Sequence, residues 1–177
     1  MIKRIKQFFN ALIAEVRETE SELISSYLTE KEEKLFYQMS IVDQRHALDV
    51  CYHVENSLKK KGYHDKSPEM QLLRRAALLH DVGKRAGDIS IIDRGMIILM
   101  DRFWPGRVQI WALEGRGSFL QNRRHACYVA INHSGLGANM LRQIDCESEL
   151  IDLVANHHHP EIEDWRVKII QAADHQT

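Results

Sequence analysis

Apolar residues recur along most of this chain at the three- and four-residue spacing that is typical of helices. The spacing predicts helices over about residues 2–27, 68–83, 89–103, 148–158 and 165–174. A further helical stretch over 41–60 carries His46; the helix before it either runs through Phe36 or breaks near Ser40 and restarts at Asp43. Thr29 and Glu32 form a Ser/Thr-x-x-Glu capping box, so another helix is expected to begin near Glu30. No alternating strand pattern persists, and the predicted fold class is therefore all-α.

The stretch between residues 85 and 132 is the least regular part of the pattern. It predicts a turn at 104–106, a short helix over 108–113 and a loop over 114–118. The apolar stretch after Arg123-Arg124-His125 fits no single element, and a separate helix is expected to open at Gly135.

The first residues form a candidate amphipathic helix. Its apolar positions are Ile2, Ile5, Phe8, Phe9, Leu12, Ile13 and Val16. We expect a helical extension over residues 1–34, which docks on its own domain over 35–177 or on a second copy to form a homodimer. A peripheral membrane helix is less favoured, because the basic residues are confined to the first turns.

Composition narrows the class of protein. A chain of 177 residues is long enough for one domain with a full core. The net charge of -1 provides no overall electrostatic basis for nucleic-acid binding. Three cysteines without a CxxC pair favour a reducing cytoplasm. No apolar run approaches the roughly 20 residues of a transmembrane helix.

The dipeptide His80-Asp81 is the first candidate for chemistry, because it ends an apolar run where burial normally excludes both side chains. Leu73, Ala76 and Ala77 share the helix face of His80, so this face points inward. Helix phase likewise turns other polar side chains inward, namely His46, His157, His158 and Asp174. Buried carboxylates are costly unless they are paired or bind metal, and imidazole with carboxylate suits zinc, iron or manganese.

Four segments carry a resemblance to a known family: His80-Asp81-Val82-Gly83-Lys84, residues 133–141 (HSGLGANML), residues 153–158 (LVANHH) and residues 169–174 (IIQAAD). In this order they resemble the motifs of the HD-domain superfamily of metal-dependent phosphohydrolases, over about residues 35–177. The dinuclear branch that includes the HD-GYP proteins is the most similar. The resemblance implies an HD-domain helical bundle.

The resemblance also implies a ligand set for two divalent metal ions. One would be held by His46, His80, Asp81 and Asp174, and Asp81 would bridge to a second ion held by His133, His157 and His158. Asp81 and Lys84 would be catalytic, with Lys84 in contact with substrate phosphate; otherwise Lys84 is a favourable cation at a helix end. Arg116, between two glycines, is a further candidate for substrate binding.

Several alternatives stay open at this point. His125 competes with His133, since both would share a face if one helix carried them. Two ligands must also be chosen from His157, His158 and His159. The ions can be Fe, Mn, Zn, Ni, Co or Mg.

The expected activity is hydrolysis of a small phosphorylated substrate, a nucleotide or another phosphate ester, by a phosphomonoesterase or phosphodiesterase. The residues after His158 lack the GYP segment, so cyclic-di-GMP is not implied. The alternatives are a di-iron oxygenase with a similar cluster and a non-catalytic, nucleotide-sensing helical module.

Overall fold

The computed structural model describes residues 16–177, and over this range the protein is all-helical. The helices are α1 (Glu18–Tyr27), α2 (Glu30–Phe36), α3 (Ile41–Lys60), α4 (Pro68–Leu79), α5 (Ile91–Phe103), α6 (Arg107–Trp111), α7 (Phe119–Gln143), α8 (Ser148–Asn156) and α9 (Trp165–Asp174). An isolated antiparallel bridge joins Met39 to Arg85. The predicted all-α class is confirmed.

Local signals in the sequence place several helix starts. Thr29 caps α2, and its hydroxyl accepts from the Glu32 amide as the capping box predicts. Ser67 caps α4 by accepting from the Met70 amide, with Pro68 at the first helical position. Side-chain acceptors at these positions satisfy amides that would otherwise lack a partner in the first helical turn.

The main core lies between α3, α4, α8, α9 and the second half of α7. Its fully buried side chains include Leu48, Leu73, Leu141 and Leu150. Ile24 of α1 belongs to the same apolar cluster, so α1 packs directly on the body of the domain. The boundary at residue 34 and dimerisation through the first helix stay predictions, since the apolar face proposed for that helix falls largely outside the described residues.

Several helix boundaries differ from the prediction: α5, α6 and α8 differ by one or two residues at an end, and three differences are larger. The first helix does not run through Arg17, which is extended (φ -75, ψ 155) and precedes α1. Helix α4 ends at Leu79 rather than Gly83, and residues 80–83 form turns. The separate helix expected at Gly135 is wrong, because α7 is one helix from Phe119 to Gln143. Gly137 packs closely against Val82 and Gly83, and this tertiary contact outweighs the low helix propensity of glycine.

A smaller layer lies beside the main core. Helices α5 and α6 pack on the first half of α7, around a separate apolar cluster of Ile89, Ala126 and Val129. None of the helices between residues 16 and 177 combines the length and apolar character needed to cross a membrane.

Candidate metal centre

Helix ends bring the predicted ligands together. His46 lies in the second turn of α3, His80 caps the end of α4, and Asp81 follows in the turn. His157 caps the end of α8, and Asp174 is the last residue of α9. His133 comes from the middle of α7, and His158 follows His157. All seven predicted metal ligands therefore converge on one region of the main core.

Asp81 lies between two groups of histidines. One group consists of His46, His80 and Asp81, and the other of Asp81, His133, His157 and His158; within each, ligand atoms lie within 4.8 Å of one another. Asp81 Oδ2 is 3.5 Å from His80 Nε2 and 3.9 Å from His46 Nε2. The other oxygen, Oδ1, is 3.2 Å from His133 Nε2. The two oxygens of one carboxylate thus face different groups.

Backbone carbonyls orient three of the rings. Nδ1 of His80, His133 and His157 lies 2.7, 2.9 and 2.7 Å from the carbonyl oxygen three residues earlier. A carbonyl oxygen only accepts, so each Nδ1 carries the hydrogen and donates. In the neutral ring Nε2 then presents its lone pair to the cluster, which is the arrangement that metal-binding histidines adopt.

The polar atoms at the centre lack hydrogen-bond partners in the described part of the chain. His80 Nε2, His157 Nε2 and Asp81 Oδ1 are buried and make no hydrogen bond there. Each of these three residues is only 1% exposed. Leaving such atoms unsatisfied costs about 1–3 kcal/mol each, which a bound cation would offset.

Three close contacts between candidate ligand atoms point the same way. His133 Nε2 and Asp81 Oδ1, 3.2 Å apart, both carry lone pairs when the imidazole is neutral. His158 Nε2 lies 2.9 Å from His133 Nε2, so a hydrogen on His158 or a shared cation must lie between them. His46 Nε2 and Asp174 Oδ1 are also 2.9 Å apart. Adjacent ligands of one ion at about 2.1 Å are separated by about 3 Å, so these distances fit a metal.

Electrostatics keeps His133, His157 and His158 uncharged, which is the form of histidine that binds metal. Burial and the Lys84 ammonium lower the pKa of His133 to about 3. Burial and the neighbouring His80 hold the pKa of His157 well below its usual value. Burial also lowers the pKa of His158. At neutral pH these rings are therefore uncharged, and each retains a lone pair.

The carboxylates stay ionised although burial opposes this. Burial would raise the pKa of Asp81, but Lys84 and the nearby histidines hold it well below the usual range. Burial of Asp174 is likewise outweighed by its hydrogen bond with His46, which lowers the pKa of Asp174. For His46, burial would lower the pKa, but Asp174 and Asp81 raise it. The site therefore attracts positive charge.

Two glycines allow the His80-Asp81 turn to meet α7. A Cβ built on Gly83 would lie 2.1 Å from the His133 carbonyl oxygen and 2.8 Å from the Gly137 amide nitrogen. On Gly137 a Cβ would lie 3.2 Å from a Val82 methyl and 3.3 Å from the Gly83 nitrogen. This close backbone approach places Asp81 beside His133. The sequence interpretation treated Gly83 only as a helix end and missed this role.

The substrate candidates occupy different surroundings. Lys84 lies beside the cluster, where Nζ donates to Asp81 Oδ2 at 2.7 Å and the side chain is 17% exposed. Arg116 forms an ion pair with Asp88. No contact links Arg116 to the seven cluster residues within the described range, and its role in substrate binding stays a prediction.

The open choices between histidines can be compared with the structure. His125 lies in the same helix as His133, but its Nε2 is 3.5 Å from Asp88 Oδ1, outside both histidine groups. His159 is exposed, and its carbonyl oxygen accepts from Gln171. The structure thus places His133, His157 and His158, rather than His125 or His159, in the cluster.

Thr177 is a neighbour of the site that sequence reasoning missed. Its hydroxyl lies 3.1 Å from His46 Nδ1 and donates to the Asp174 carbonyl oxygen at 3.0 Å. No motif signals this contact, because it joins residues 131 positions apart.

The described chain is thus an all-helical protein with a buried His/Asp cluster whose donor atoms fit a metal ion. Imidazole nitrogens and carboxylate oxygens together suit several divalent transition metals. Comparison of the chain with family models, with curated proteins and with solved structures gave no match.

Proposed function

We propose that this protein is a metal-dependent phosphohydrolase, a phosphomonoesterase or phosphodiesterase, that acts on a nucleotide or another small phosphate ester. The observation that carries the proposal is the position of Asp81, whose two oxygens face two separate groups of histidines. Two ions bridged by one carboxylate form a recurring centre for phosphate ester hydrolysis. The similarity of the ordered motifs to those of the HD-domain superfamily supports the same activity.

Each group would hold one divalent ion, with Fe, Mn, Zn, Ni, Co and Mg as the candidates. His46, His80 and Asp174 would complete the ligands around Asp81 Oδ2, and His133, His157 and His158 those around Oδ1. The ions would supply Lewis acidity, which stabilises the charge that develops on a phosphoryl group under attack by water. Backbone carbonyls orient His80, His133 and His157, so that the Nε2 lone pair of each ring would be directed at a bound ion.

Lys84 and His158 define where a substrate would approach. Lys84 holds a positive charge against Asp81 and remains partly exposed, so its ammonium can also contact a phosphate oxygen. His80 and His157 are buried, whereas His158 is exposed. The side chain of His46 is also 28% exposed, so the cluster is accessible at His158 and at His46, and Lys84 would position a phosphate beside Asp81.

Metal content and phosphate release test the proposal together. We expect purified protein, reconstituted with each candidate metal, to bind two equivalents and to hydrolyse p-nitrophenyl phosphate, bis(p-nitrophenyl) phosphate or members of a nucleotide panel. Asp81→Ala should lose bound metal and phosphate release. Asp152→Ala, which removes an exposed acid of α8, serves as the matched control and should retain both. Full phosphate release by Asp81→Ala would overturn the mechanism.

The same preparation separates the two alternatives. Oxygen consumption by an iron-loaded protein that releases no phosphate from any substrate would replace the proposal with a di-iron oxygenase. Two bound metals with neither phosphate release nor oxygen consumption, together with nucleotide binding, would instead support a sensing module.

A further inference from the structure

Helix α5 exposes an apolar stripe that no other part of the described chain covers. Among its thirteen residues only Asp93 is buried. Ile92, Leu99 and Phe103 are 76%, 55% and 64% exposed. They occupy positions i, i+7 and i+11, with Met96 at i+4, and therefore form one stripe along the helix.

The stripe continues through the turn into α6. Trp104 is 60% exposed and makes an edge contact with the Phe103 ring, with centroids 6.1 Å apart. Gly106 adopts a positive φ of 80°, which allows the sharp turn. In α6 the buried residue is Val108, whereas Ile110, about 200° further around the helix, is 73% exposed. Contiguous apolar surface of this kind marks an interaction site.

Positive charge accompanies the apolar surface. Within the α5–α6 segment, Arg94 and Asp93 form ion pairs with Asp43 and Arg123, which leaves Arg102 and Arg107 against Asp101. The segment therefore has a small net positive charge, although the whole chain has a net charge of -1. Arg102 precedes Phe103, and Arg107 lies on the same side of α6 as Ile110. No ion pair engages Arg102 or Arg107 within residues 16–177.

We propose that the α5–α6 hairpin docks on the surface of a lipid bilayer with anionic headgroups. The stripe of Ile92, Leu99 and Phe103 would enter the boundary between headgroups and acyl chains, as in amphipathic helices that lie in the membrane plane. Trp104 would sit at the level of the headgroups, which tryptophan favours. Arg102 and Arg107 would contact lipid phosphates.

Charge argues against the two other occupants that the chain itself offers. A symmetric dimer through this face would bring two copies of the same basic surface together, because a two-fold interface is self-complementary. Residues 1–15 contain Lys3, Arg4 and Lys6 against Glu15 alone, so this segment is basic as well. An anionic bilayer has an apolar interior for the exposed stripe and a negative surface charge, opposite to that of the arginines. The inference does not depend on the metal centre.

Vesicle co-sedimentation tests the docking surface with the full chain. We expect binding to phosphatidylcholine vesicles that contain about one third phosphatidylglycerol. Binding should fall at least about fivefold on pure phosphatidylcholine, and by a similar factor when NaCl rises from about 0.1 M to 0.5 M, because salt screens the arginines. Equal binding to both kinds of vesicle, or none to either, would overturn the proposal.

Two double variants locate the contact. Phe103→Ser with Trp104→Ser removes two apolar side chains that would insert into the bilayer. Arg102→Gln with Arg107→Gln removes two positive charges. Each pair should weaken binding to anionic vesicles roughly tenfold or more. Ile41→Ser is the matched control: Ile41 is an exposed apolar residue (46%) at the start of α3, outside the hairpin, and its loss should leave binding unchanged. Circular dichroism verifies that all variants are folded.

Other outcomes assign the face to another occupant and contradict the proposal. Unchanged binding in both double variants, with loss on deletion of residues 1–15, would place lipid binding in that segment. Self-association in analytical ultracentrifugation that Phe103→Ser with Trp104→Ser abolishes, without vesicle binding, would make the face an interface between copies. Vesicle binding that neither the hairpin variants nor the deletion changes would place the lipid surface elsewhere on the protein.

Discussion

The Thr177 hydroxyl holds the imidazole of His46 from the side opposite to Asp174. Because its hydrogen goes to the Asp174 carbonyl oxygen, the Thr177 oxygen accepts from His46 Nδ1–H. His46 Nε2 then faces Asp174 Oδ1 at 2.9 Å. Thr177 thus does for His46 what backbone carbonyls do for His80, His133 and His157.

Replacement of Thr177 should weaken binding of the metal ion that we propose for the group with His46. We expect Thr177→Val, which preserves shape and removes the acceptor, to lower affinity for that ion by about 10–100-fold, as is typical when the partner of a ligating histidine is lost. Thr177→Ser should restore it. Isothermal titration with the metal alone measures both sites. Equal affinities in Thr177→Val and the original chain would show that this contact does not position His46.

The two histidines of α7 should behave differently. His133→Ala should lose one of two metal equivalents, because His133 faces Asp81 Oδ1. His125 lies eight residues earlier, about 12 Å along the helix axis, beside Asp88. His125→Ala should therefore retain both equivalents in elemental analysis by mass spectrometry. A loss of metal in His125→Ala, with retention in His133→Ala, would reverse the assignment.

Gly83 should tolerate no side chain. Gly83→Ala forces a methyl group against the His133 carbonyl, and overpacking of this kind destabilises proteins by about 1–3 kcal/mol. Gly135→Ala is the matched control, because a Cβ there meets no atom within 4 Å. It should stabilise α7 by up to about 1 kcal/mol. Urea unfolding of both variants measures the difference, and equal stability of the two would contradict the close approach.

Glu32 should make stability depend on pH. Its buried carboxylate accepts from Arg75 and from the Thr29 amide at 2.9 Å. Burial would raise the pKa of Glu32, but Arg75 and Thr29 lower it below the usual value of 4.5. The stabilisation is therefore fully present above about pH 4.5 and is lost as pH falls through the lower pKa of the folded state.

The variant Glu32→Gln tests this dependence. We expect it to lose about 1–3 kcal/mol of unfolding free energy at pH 7, and the difference from the original chain should shrink in acid. Glu30→Gln, at an exposed position in the same helix, should change stability by less than about 0.5 kcal/mol. Denaturant titrations from pH 7 to pH 3 measure both. If the loss of unfolding free energy in Glu32→Gln stayed constant with pH, this would contradict the lowered pKa assigned to Glu32.

Prediction from sequence succeeded where structure depends on neighbours in the chain. The helix Trp165–Asp174 matches the expected range, and the helix Ile41–Lys60 follows the break expected near Ser40, because apolar spacing and caps act within a few residues. The break expected at Gly135 was wrong, because Gly137 packs against Val82 and Gly83 in the turn after α4, a contact that is distant in the sequence. The same distant contact explains why the role of Gly83 was missed.

The amino-acid sequence by itself determined the all-α class, most helix boundaries and the order of seven candidate ligands, since helix phase already turns several of them inward. Only the tertiary structure decided that the two oxygens of Asp81 face different histidine groups, that His133 rather than His125 joins them, and that Thr177 supports His46. These relationships join residues far apart in the chain. Their distances follow from how the helices pack, and no local pattern encodes them.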